Sequence, residues 1–261
     1  MLNITLVWMV IGMVGTLAEN FQRYFTVDFA FDEHVKSEVF RTRFNVYCKE
    51  FEYESVENFP DEQEFDDYDQ FSLHCVIRHK ESGVAAGCVR LVPAEIEKLS
   101  SLLPFEKYCL DSIDHEFVDG LSLDRNTVCE ISRLAVDSSF RRRPNEGVDR
   151  FGNARELTFG DEERRVFPLI AVSAFLASTS LTVLTKRTNV FAMMEPFLPR
   201  LLKRSGIVFH RAGRDVDYHG VRAPYFITTQ SALDNMKPEL KELYEAIHTK
   251  ICAEYRSFFP E

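Results

Sequence analysis

The chain has 261 residues, an apolar content of 45% and a net charge of −10. These values predict an ordinary globular protein, and they exclude nucleic acid as a partner of the whole surface, because phosphate binding needs a dominant basic face. The histidines and the six cysteines form no CxxC, HxH or HExxH pattern, so the sequence predicts no metal site, and reduced thiols indicate a cytoplasmic protein.

The first eighteen residues, MLNITLVWMVIGMVGTLA, contain no charged residue. A secretory signal would carry Lys or Arg before its apolar stretch, and the first basic residue here is Arg23. The stretch is also short for a membrane span. We interpret residues 1–18 as a start codon assigned too early or as an apolar helix packed on the domain or on a membrane surface. Peripheral membrane association therefore stays open, and residues 19–261 are expected to form a single domain.

In the first half of this domain, the sequence predicts a helix, a hairpin and a buried strand. Residues 35–51 carry apolar side chains at helical spacing, and Arg43 lies on the apolar face of this predicted helix. Strands are predicted in FSLHCVIRH and VAAGCVRLVP, which are joined near Gly83, a residue suited to a hairpin turn. A further strand, TVCEISRLAV, reads as buried because it is continuously β-branched and apolar apart from its charges.

The second half alternates helices and strands. An Arg-rich loop is predicted over 138–165, helices over 167–181 and 195–206, and an amphipathic C-terminal helix over 236–258. Strands are predicted within TVLTKRTNVFAMM, IVFHRAG and APYFITT. Hairpins followed by a βαβ-like half indicate an α+β or mixed three-layer fold.

Three charged residues, Arg90, Glu130 and Arg133, occupy strand positions where the pattern requires apolar side chains. Burying an unpaired ion costs on the order of several kcal/mol, so these charges are expected to be paired, in a structural network or in an active site. Glu130 and Arg133 would point to opposite faces of a regular strand. A β-bulge between them would bring both to one side, and bulges concentrate beside active sites.

The acidic segment DEQEFDDYDQF, residues 61–71, supplies candidate partners. Three of its carboxylates have the spacing E-x-D-x-x-D and are expected to meet three arginines in apolar settings: Glu64, Asp66 and Asp69 with Arg43, Arg90 and Arg133. The remaining acids are expected to stay in solvent, as charge runs usually do.

Four motifs in this order resemble those of the acyl-homoserine-lactone synthases: VFRTRFNVYCKEFEYE, EFDDYD, GCVRLVP and EISRLAV. They cover about residues 35–140. After residue 17 the chain also resembles the bacterial PEP-CTERM/exosortase system-associated acyltransferases, through LAENFQRYF, MEPFLPRLLKR and YHGVRAPYFI. Long-chain N-acyl amino acid synthases are related to both. The second resemblance favours the early-start interpretation of residues 1–18.

The resemblance implies a GCN5-related N-acetyltransferase-like fold, three α/β/α layers with a mixed, splayed central sheet. It implies transfer of a fatty acyl group from an acyl thioester to an amine acceptor, without metal or permanent cofactor. The arginines would hold the acidic residues, and Asp66 and Asp69 would bind the acceptor or serve as structural anions. Glu64 or Glu130 would be the base, because an ammonium cannot attack a thioester before it loses a proton.

The acceptor and the donor stay open. Phe51 or Tyr53 replaces the tryptophan of the lactone synthases, so a free amino acid or an amino-lipid headgroup competes with S-adenosylmethionine as acceptor. RRRPNEGVDRFG has the charge of a coenzyme A phosphate turn without its spacing. It is an altered phosphate grip, a solvated loop or a docking patch for acyl carrier protein. The candidate donor-side residues are Arg141, Arg142, Arg143, Arg200, Lys203 and Arg204.

Two alternatives to fatty acyl transfer remain at this point. One is a coenzyme A-dependent acetyltransferase that moves small acyl groups. The other is a non-catalytic module on the same fold that binds acyl carrier protein or lipid.

Overall fold

One mixed sheet with helices on both faces forms the framework of the computed structural model, which describes residues 15–94, 102–141 and 159–260. Its eight described strands are β1 Phe25–Phe29, β2 Leu73–His79, β3 Ala85–Pro93, β4 Val128–Val136, β5 Asn189–Met194, β6 His210–Arg211, β7 Val216–Asp217 and β8 Val221–Thr228. The helices are α1 Leu17–Tyr24, α2 Glu33–Arg43, α3 Pro104–Tyr108, α4 His115–Gly120, α5 Asp161–Val166, α6 Pro168–Leu184, α7 Leu198–Arg204, α8 Thr229–Asn235 and α9 Pro238–Phe258.

The strands are ordered β1-β2-β3-β4-β5-β8-β6, with β7 paired to β8. Every pair is antiparallel except β4–β5, which is parallel and is crossed over by α6. Only three residue pairs join β4 to β5, from Val128 opposite Asn189 to Glu130 opposite Phe191. Beyond Glu130 the two strands separate, so the sheet is splayed at its centre.

The two faces of the sheet bury different helices. On one face, Val39 and Val46 from the α2 region pack against Cys88 and Ala135 of the sheet. On the other face, α6 and α9 contribute to a larger core that includes Leu91, Ile131 and Tyr225. The predicted α+β fold with three layers is therefore confirmed.

A β-bulge interrupts the pairing of β3 with β4. Cys88 lies opposite Ala135 and Arg90 lies opposite Ser132, so β4 carries one extra residue in this interval. Arg133 lies within it and has a φ of 51°, a left-handed conformation that is uncommon for a residue other than glycine. The sequence predicts a bulge between Glu130 and Arg133; the pairing is regular from Glu130 to Ser132, and the bulge that is present contains Arg133 itself.

The predicted helix over 35–51 is present but changes its winding. After α2 the chain continues as a π-helix over Phe44–Glu50. This wider turn contains Tyr47, whose hydroxyl donates to the carbonyl oxygen of Leu134 at 2.9 Å. The π-helix is thereby attached to the bulged part of β4, and π-helical turns are frequent at functional sites.

Several boundaries differ from the sequence prediction. The loop predicted over 138–165 contains α5, which begins at Asp161 with three acidic residues in its first turn, a favourable arrangement at a helix N-terminus. The strand predicted in IVFHRAG is reduced to His210–Arg211. The helix α1 begins at Leu17 after a capping box at Thr16, so the folded region overlaps the apolar segment predicted over 1–18. Residues 1–14 lie outside the described residues.

Candidate active site

The acidic loop is fixed to the fold by its own backbone and side chains. The Glu64 N–H donates to the carbonyl oxygen of Phe40 at 3.0 Å. The Asp66 carboxylate accepts from the N–H of Tyr68 at 2.9 Å, and the Asp66 N–H donates to Asp69 at 2.7 Å. These bonds turn the three carboxylates of the E-x-D-x-x-D motif inward, while Asp61 and Glu62 remain exposed.

Arg43 holds two of these carboxylates. Its terminal nitrogens donate to both oxygens of Asp69, at 2.8 and 2.9 Å, and its Nε donates to Glu64. The bidentate arrangement is the strongest geometry between a guanidinium and a carboxylate. Because the Arg43 side chain is completely buried, these acids are required as its partners.

Arg90 and Arg133 complete the network from the sheet. Arg90 donates to Asp66 at 2.6 Å, to Asp69 at 2.9 Å and to the Ser132 hydroxyl at 3.1 Å. Arg133 reaches Glu64 at 3.1 Å and Asp66 at 3.2 Å. The bulge thus turns Arg133 to the same face as Arg90. The structure brings together all six residues that the sequence predicted to pair.

The network makes its carboxylates poor bases. Burial alone would raise the pKa of Glu64, but the guanidinium groups of Arg43 and Arg133 more than offset burial and lower it. The pKa values of Asp66 and Asp69 are lowered in the same way, against the effect of burial, by their arginine partners. Three positive and three negative charges balance, and all three carboxylates remain ionised at neutral pH.

Glu130 is in a different environment. Its Oε2 accepts from the N–H of Phe105 at 2.8 Å, and among the described residues it forms no ion pair. Burial raises the pKa of Glu130 to about 7, since the hydrogen bond from Phe105 and the charges of Arg90 and Arg133 offset only part of the desolvation. A carboxyl group with such a pKa can take up and release a proton near neutral pH.

A cavity of about 420 Å³ passes through the splayed part of the sheet. On the α2 face its lining is polar and aromatic, with Tyr47, Glu130, Ser132, Arg133, Tyr218 and Arg222. On the α6 face it is apolar, with Ala171, Phe175, Leu202, Phe209 and Ile227. Of the predicted catalytic and substrate-binding residues, Glu130 and Arg133 line the cavity, and so does Arg141 of the predicted donor side. The five other members of the charge network do not line it: Arg43, Glu64, Asp66, Asp69 and Arg90.

The predicted donor-side arginines are only partly described. Arg141 lines the cavity, pairs with Glu50 and donates to the carbonyl oxygen of Val136 at 2.7 Å. Arg142 and Arg143 lie outside the described residues. Arg200, Lys203 and Arg204 are exposed on α7, the helix whose Leu198 and Leu202 contribute to the cavity.

Sequence reasoning missed the contribution of residues 218–222. Tyr218, His219 and Arg222 line the polar end of the cavity, beside residues more than eighty positions earlier in the chain such as Glu130. One signal was present, because Arg222 lies at an even step from Phe226 in a strand pattern and so on a face that is otherwise apolar.

In residues 15–94, 102–141 and 159–260, no group of three or more His, Cys, Asp or Glu side chains is arranged so that it could hold a metal ion. None of the helices in these ranges combines the length and the apolar character that crossing a membrane requires.

Comparisons with known proteins agree with this geometry. Residues 42–147 match the family model described as Acetyltransferase (GNAT) domain. The fold is similar to the crystal structure of the AHL synthase LasI, with a TM-score of 0.54 at 16% identity over 82% of this chain and 97% of that one. No curated protein matches the sequence.

Two other solved structures share the fold. A CoA-dependent acyl-homoserine lactone synthase, BjaI, solved with SAM and isopentyl-CoA, gives a TM-score of 0.53 at 16% identity over 86% of this chain and 89% of that one. FeeM, an N-acyl amino acid synthase from uncultured soil microbes, gives a TM-score of 0.51 at 10% identity, over 84% of this chain and 97% of that one. Residues 42–147 therefore match a GNAT acetyltransferase domain, and the fold of the chain is similar to those of acyl-homoserine-lactone synthases and of an N-acyl amino acid synthase.

Proposed function

We propose that the protein transfers a fatty acyl group from an acyl thioester to an amine acceptor, with Glu130 as the general base. The observation that carries this proposal is a single buried carboxyl group, with a pKa of about 7, in the wall of a cavity that crosses the sheet. The attacking nitrogen must lose a proton to become the amide nitrogen of the product, and a base with a pKa near the working pH is the most effective one.

The reaction uses only groups that this site and its substrates provide. The amine nitrogen attacks the thioester carbonyl carbon, a C–N bond forms, and Glu130 takes the proton that the nitrogen loses. Collapse of the tetrahedral intermediate breaks the C–S bond and releases the thiolate, which receives a proton from Glu130. The carboxylate is thereby regenerated for the next turnover.

The splay of the sheet supplies candidates for stabilising the intermediate. Because β5 stops pairing with β4 after Glu130, the following residues of β4, Ile131 to Ala135, border the cavity. Backbone N–H groups of this bulged segment can donate to the oxyanion of a tetrahedral intermediate. The charge network behind the segment fixes its position through Arg90 and Arg133.

Glu64 is assigned a positioning role in this mechanism. It lies between Arg43 and Arg133, its pKa is lowered, and it does not line the cavity. We infer that it orients Arg133 and so the bulge. Asp66 and Asp69 are structural anions in the same sense, because both are occupied by arginines.

The apolar end of the cavity favours a fatty acyl group over a small one. Phe175, Leu202, Phe209 and Ile227 provide far more apolar surface than an acetyl group would cover. The exposed cations Arg200, Lys203 and Arg204 beside this cavity support acyl carrier protein as the donor, since an acidic carrier would be attracted to them. Coenzyme A thioesters are the alternative donor.

The test uses purified full-length protein, a long-chain acyl thioester on coenzyme A or on acyl carrier protein, and a mixture of amines and amino acids. Free thiol and N-acyl products are measured together, the second by mass spectrometry. We expect thiol release matched by N-acyl product, and loss of both in Glu130→Gln. The control is Glu116→Gln, which removes an exposed acid on α4.

Two results would contradict the proposal. Tight binding of the acyl thioester without turnover would indicate a binding module on this fold. Equal turnover of acetyl and long-chain donors would indicate a small-acyl acetyltransferase.

A further inference from the structure

Arg222 projects from the same face of the sheet as Glu130. In β8, Ala223, Tyr225 and Ile227 belong to the core on the α6 face. Because side chains alternate along a strand, Arg222 points to the opposite, α2 face, as Phe226 does. Glu130 lies on that face too, in register with Val92 of β3. Both side chains line the polar end of the cavity.

Within the described part of the chain, Arg222 forms no ion pair, whereas the two other arginines that line the cavity do. Arg133 pairs with Glu64 and Asp66, and Arg141 pairs with Glu50. Arg222 forms no ion pair with a carboxylate of the described residues, and its Nε is buried without a hydrogen-bond partner. A buried charged donor without a partner is costly, and an anionic ligand would satisfy it.

The guanidinium of Arg222 lies beside a cluster of aromatic rings. Its Cζ lies 5.7 Å from the ring centre of Tyr53, and that ring is stacked on Phe51 with 5.2 Å between centres. Tyr53 also contacts His219, with 5.2 Å between the ring centres. Glu54, which also lines the cavity, lies beside His219 with 3.5 Å between Nε2 and Oε1, and it forms no ion pair with Arg222.

We propose that Arg222 binds the carboxylate of the acceptor, so that the acceptor is a molecule with an α-amino carboxylate group. This inference rests on the proposed function. The planar guanidinium of an arginine can donate to both oxygens of a carboxylate. With the carboxylate on Arg222, the amino group of the same molecule faces the polar end of the cavity, where Glu130 is the base. Free amino acids and S-adenosylmethionine share this chemistry, whereas simple amines and ethanolamine headgroups lack the carboxylate.

The test compares matched acceptors that differ only in the carboxylate. Purified protein and its Arg222→Gln variant receive one long-chain thioester with phenylalanine or phenethylamine, and with leucine or 3-methylbutylamine. We expect Arg222→Gln to lower kcat/KM for the amino acids by about 10- to 100-fold, the range for losing a charge-assisted hydrogen-bonded pair. Turnover of the matched amines should stay within about two-fold, because a group that contacts only the carboxylate does not affect them.

Two further variants sharpen this comparison. Arg222→Lys retains the charge without the planar pair of donors, so it should recover part of the lost selectivity. Arg214→Gln is the matched control, because it removes an exposed arginine eight positions earlier that does not line the cavity. Arg214→Gln should leave the selectivity unchanged.

S-adenosylmethionine and phosphoethanolamine are tested as separate acceptors. If S-adenosylmethionine is acylated and the free amino acids and phosphoethanolamine are not, S-adenosylmethionine is the acceptor that supplies the α-amino carboxylate.

Three results would overturn the inference. Equal turnover of phenylalanine and phenethylamine by the unsubstituted protein would remove the need for a carboxylate site. An equal loss on both acceptors in Arg222→Gln would mean a structural role. An increase in KM for the thioester alone would place Arg222 on the donor phosphate.

A binding titration separates this inference from the proposed function. If no acceptor is acylated, acyl transfer is refuted. Calorimetry with phenylalanine then decides the carboxylate site on its own. Binding that Arg222→Gln weakens would retain the site, and binding that is absent or unaffected by the substitution would refute it.

Discussion

Arg133 connects the bulge of β4 to the acidic loop, since its Nε lies 3.1 Å from Oε1 of Glu64 although the two residues are 69 positions apart. This contact occupies one of the two glutamates that could act as the base. Glu64 becomes a permanent anion, and the carboxyl group that can still exchange a proton near neutral pH is Glu130. In the proposed mechanism, this ion pair makes Glu64 a positioning group and leaves Glu130 as the base.

The rate of acyl transfer should rise with pH through a transition near pH 7. Burial raises the pKa of Glu130 to about 7, and its ionised form is the base, so activity is lost below this value and gained above it. The measurement is kcat/KM from about pH 5 to about pH 9 with a saturating thioester. Glu130→Gln should abolish this ascending limb together with most of the activity. A limb that persists in this variant would assign the transition to another group.

Glu130 should also make the fold less stable as the pH rises from about 4.5 to about 7. Its pKa rises from 4.5 in the unfolded chain to about 7 in the fold, so the folded state holds a proton that the unfolded state has lost. Stability is therefore lost as pH rises between these values, by an amount on the order of 3 kcal/mol.

Urea unfolding of the protein and of Glu130→Gln, at about pH 5 and about pH 8, measures this effect. The free energy of unfolding of the variant, relative to that of the original protein, should be larger at about pH 8 than at about pH 5. A constant difference between the two proteins would show that Glu130 does not change its protonation on folding.

Removal of one member of the buried charge network should be strongly destabilising. Arg43→Met leaves Glu64 and Asp69 buried without this cation, and such changes cost about 3–5 kcal/mol. The control is Lys49→Met, which breaks the exposed pair with Glu62 and should cost less than about 1 kcal/mol. Chemical unfolding gives both values. If the two variants lost similar free energies of unfolding, the buried network would stabilise the fold no more than an exposed ion pair does.

The apolar end of the cavity should limit the length of the acyl chain. Ala171 of α6 lines this end, and Ala171→Leu would fill part of it. We expect kcat/KM to fall by about 10-fold or more with dodecanoyl and longer donors, since one methylene in an apolar pocket is worth at least this much. Butanoyl donors, measured with the same protein, are the internal control. A uniform loss across all donors would indicate disturbed packing.

The charge network could be predicted from the sequence because burial of charge is restrictive. Arg90 and Arg133 interrupt apolar strands, and each needs a carboxylate nearby. The spacing of Glu64, Asp66 and Asp69 provides three of them on one loop, so even the pairing could be anticipated. A bulge could be predicted by the same reasoning. Side chains alternate between the two faces of a strand, so Glu130 and Arg133 can share a face only if an extra residue interrupts this alternation.

Other features depend on contacts that no local pattern encodes. The strand β1 follows α1 without a turn residue, and its pairing with β2 joins segments about fifty residues apart, as in Val27 opposite Ile77. The choice between Glu64 and Glu130 as the base depends on three-dimensional partners, which decide each pKa. Arg222 reaches the site only because β8 lies beside β5 in the folded sheet.

The separation of β4 from β5 leaves backbone edges in the middle of the sheet. Past Glu130 and Phe191, the two strands no longer satisfy each other's N–H and C=O groups. A linear substrate with amide groups of its own could lie between them and take the place of a missing strand. The protein would then recognise its donor by backbone hydrogen bonds along the length of the slot, independently of side-chain identity, and the sheet would be continuous only while a substrate is bound.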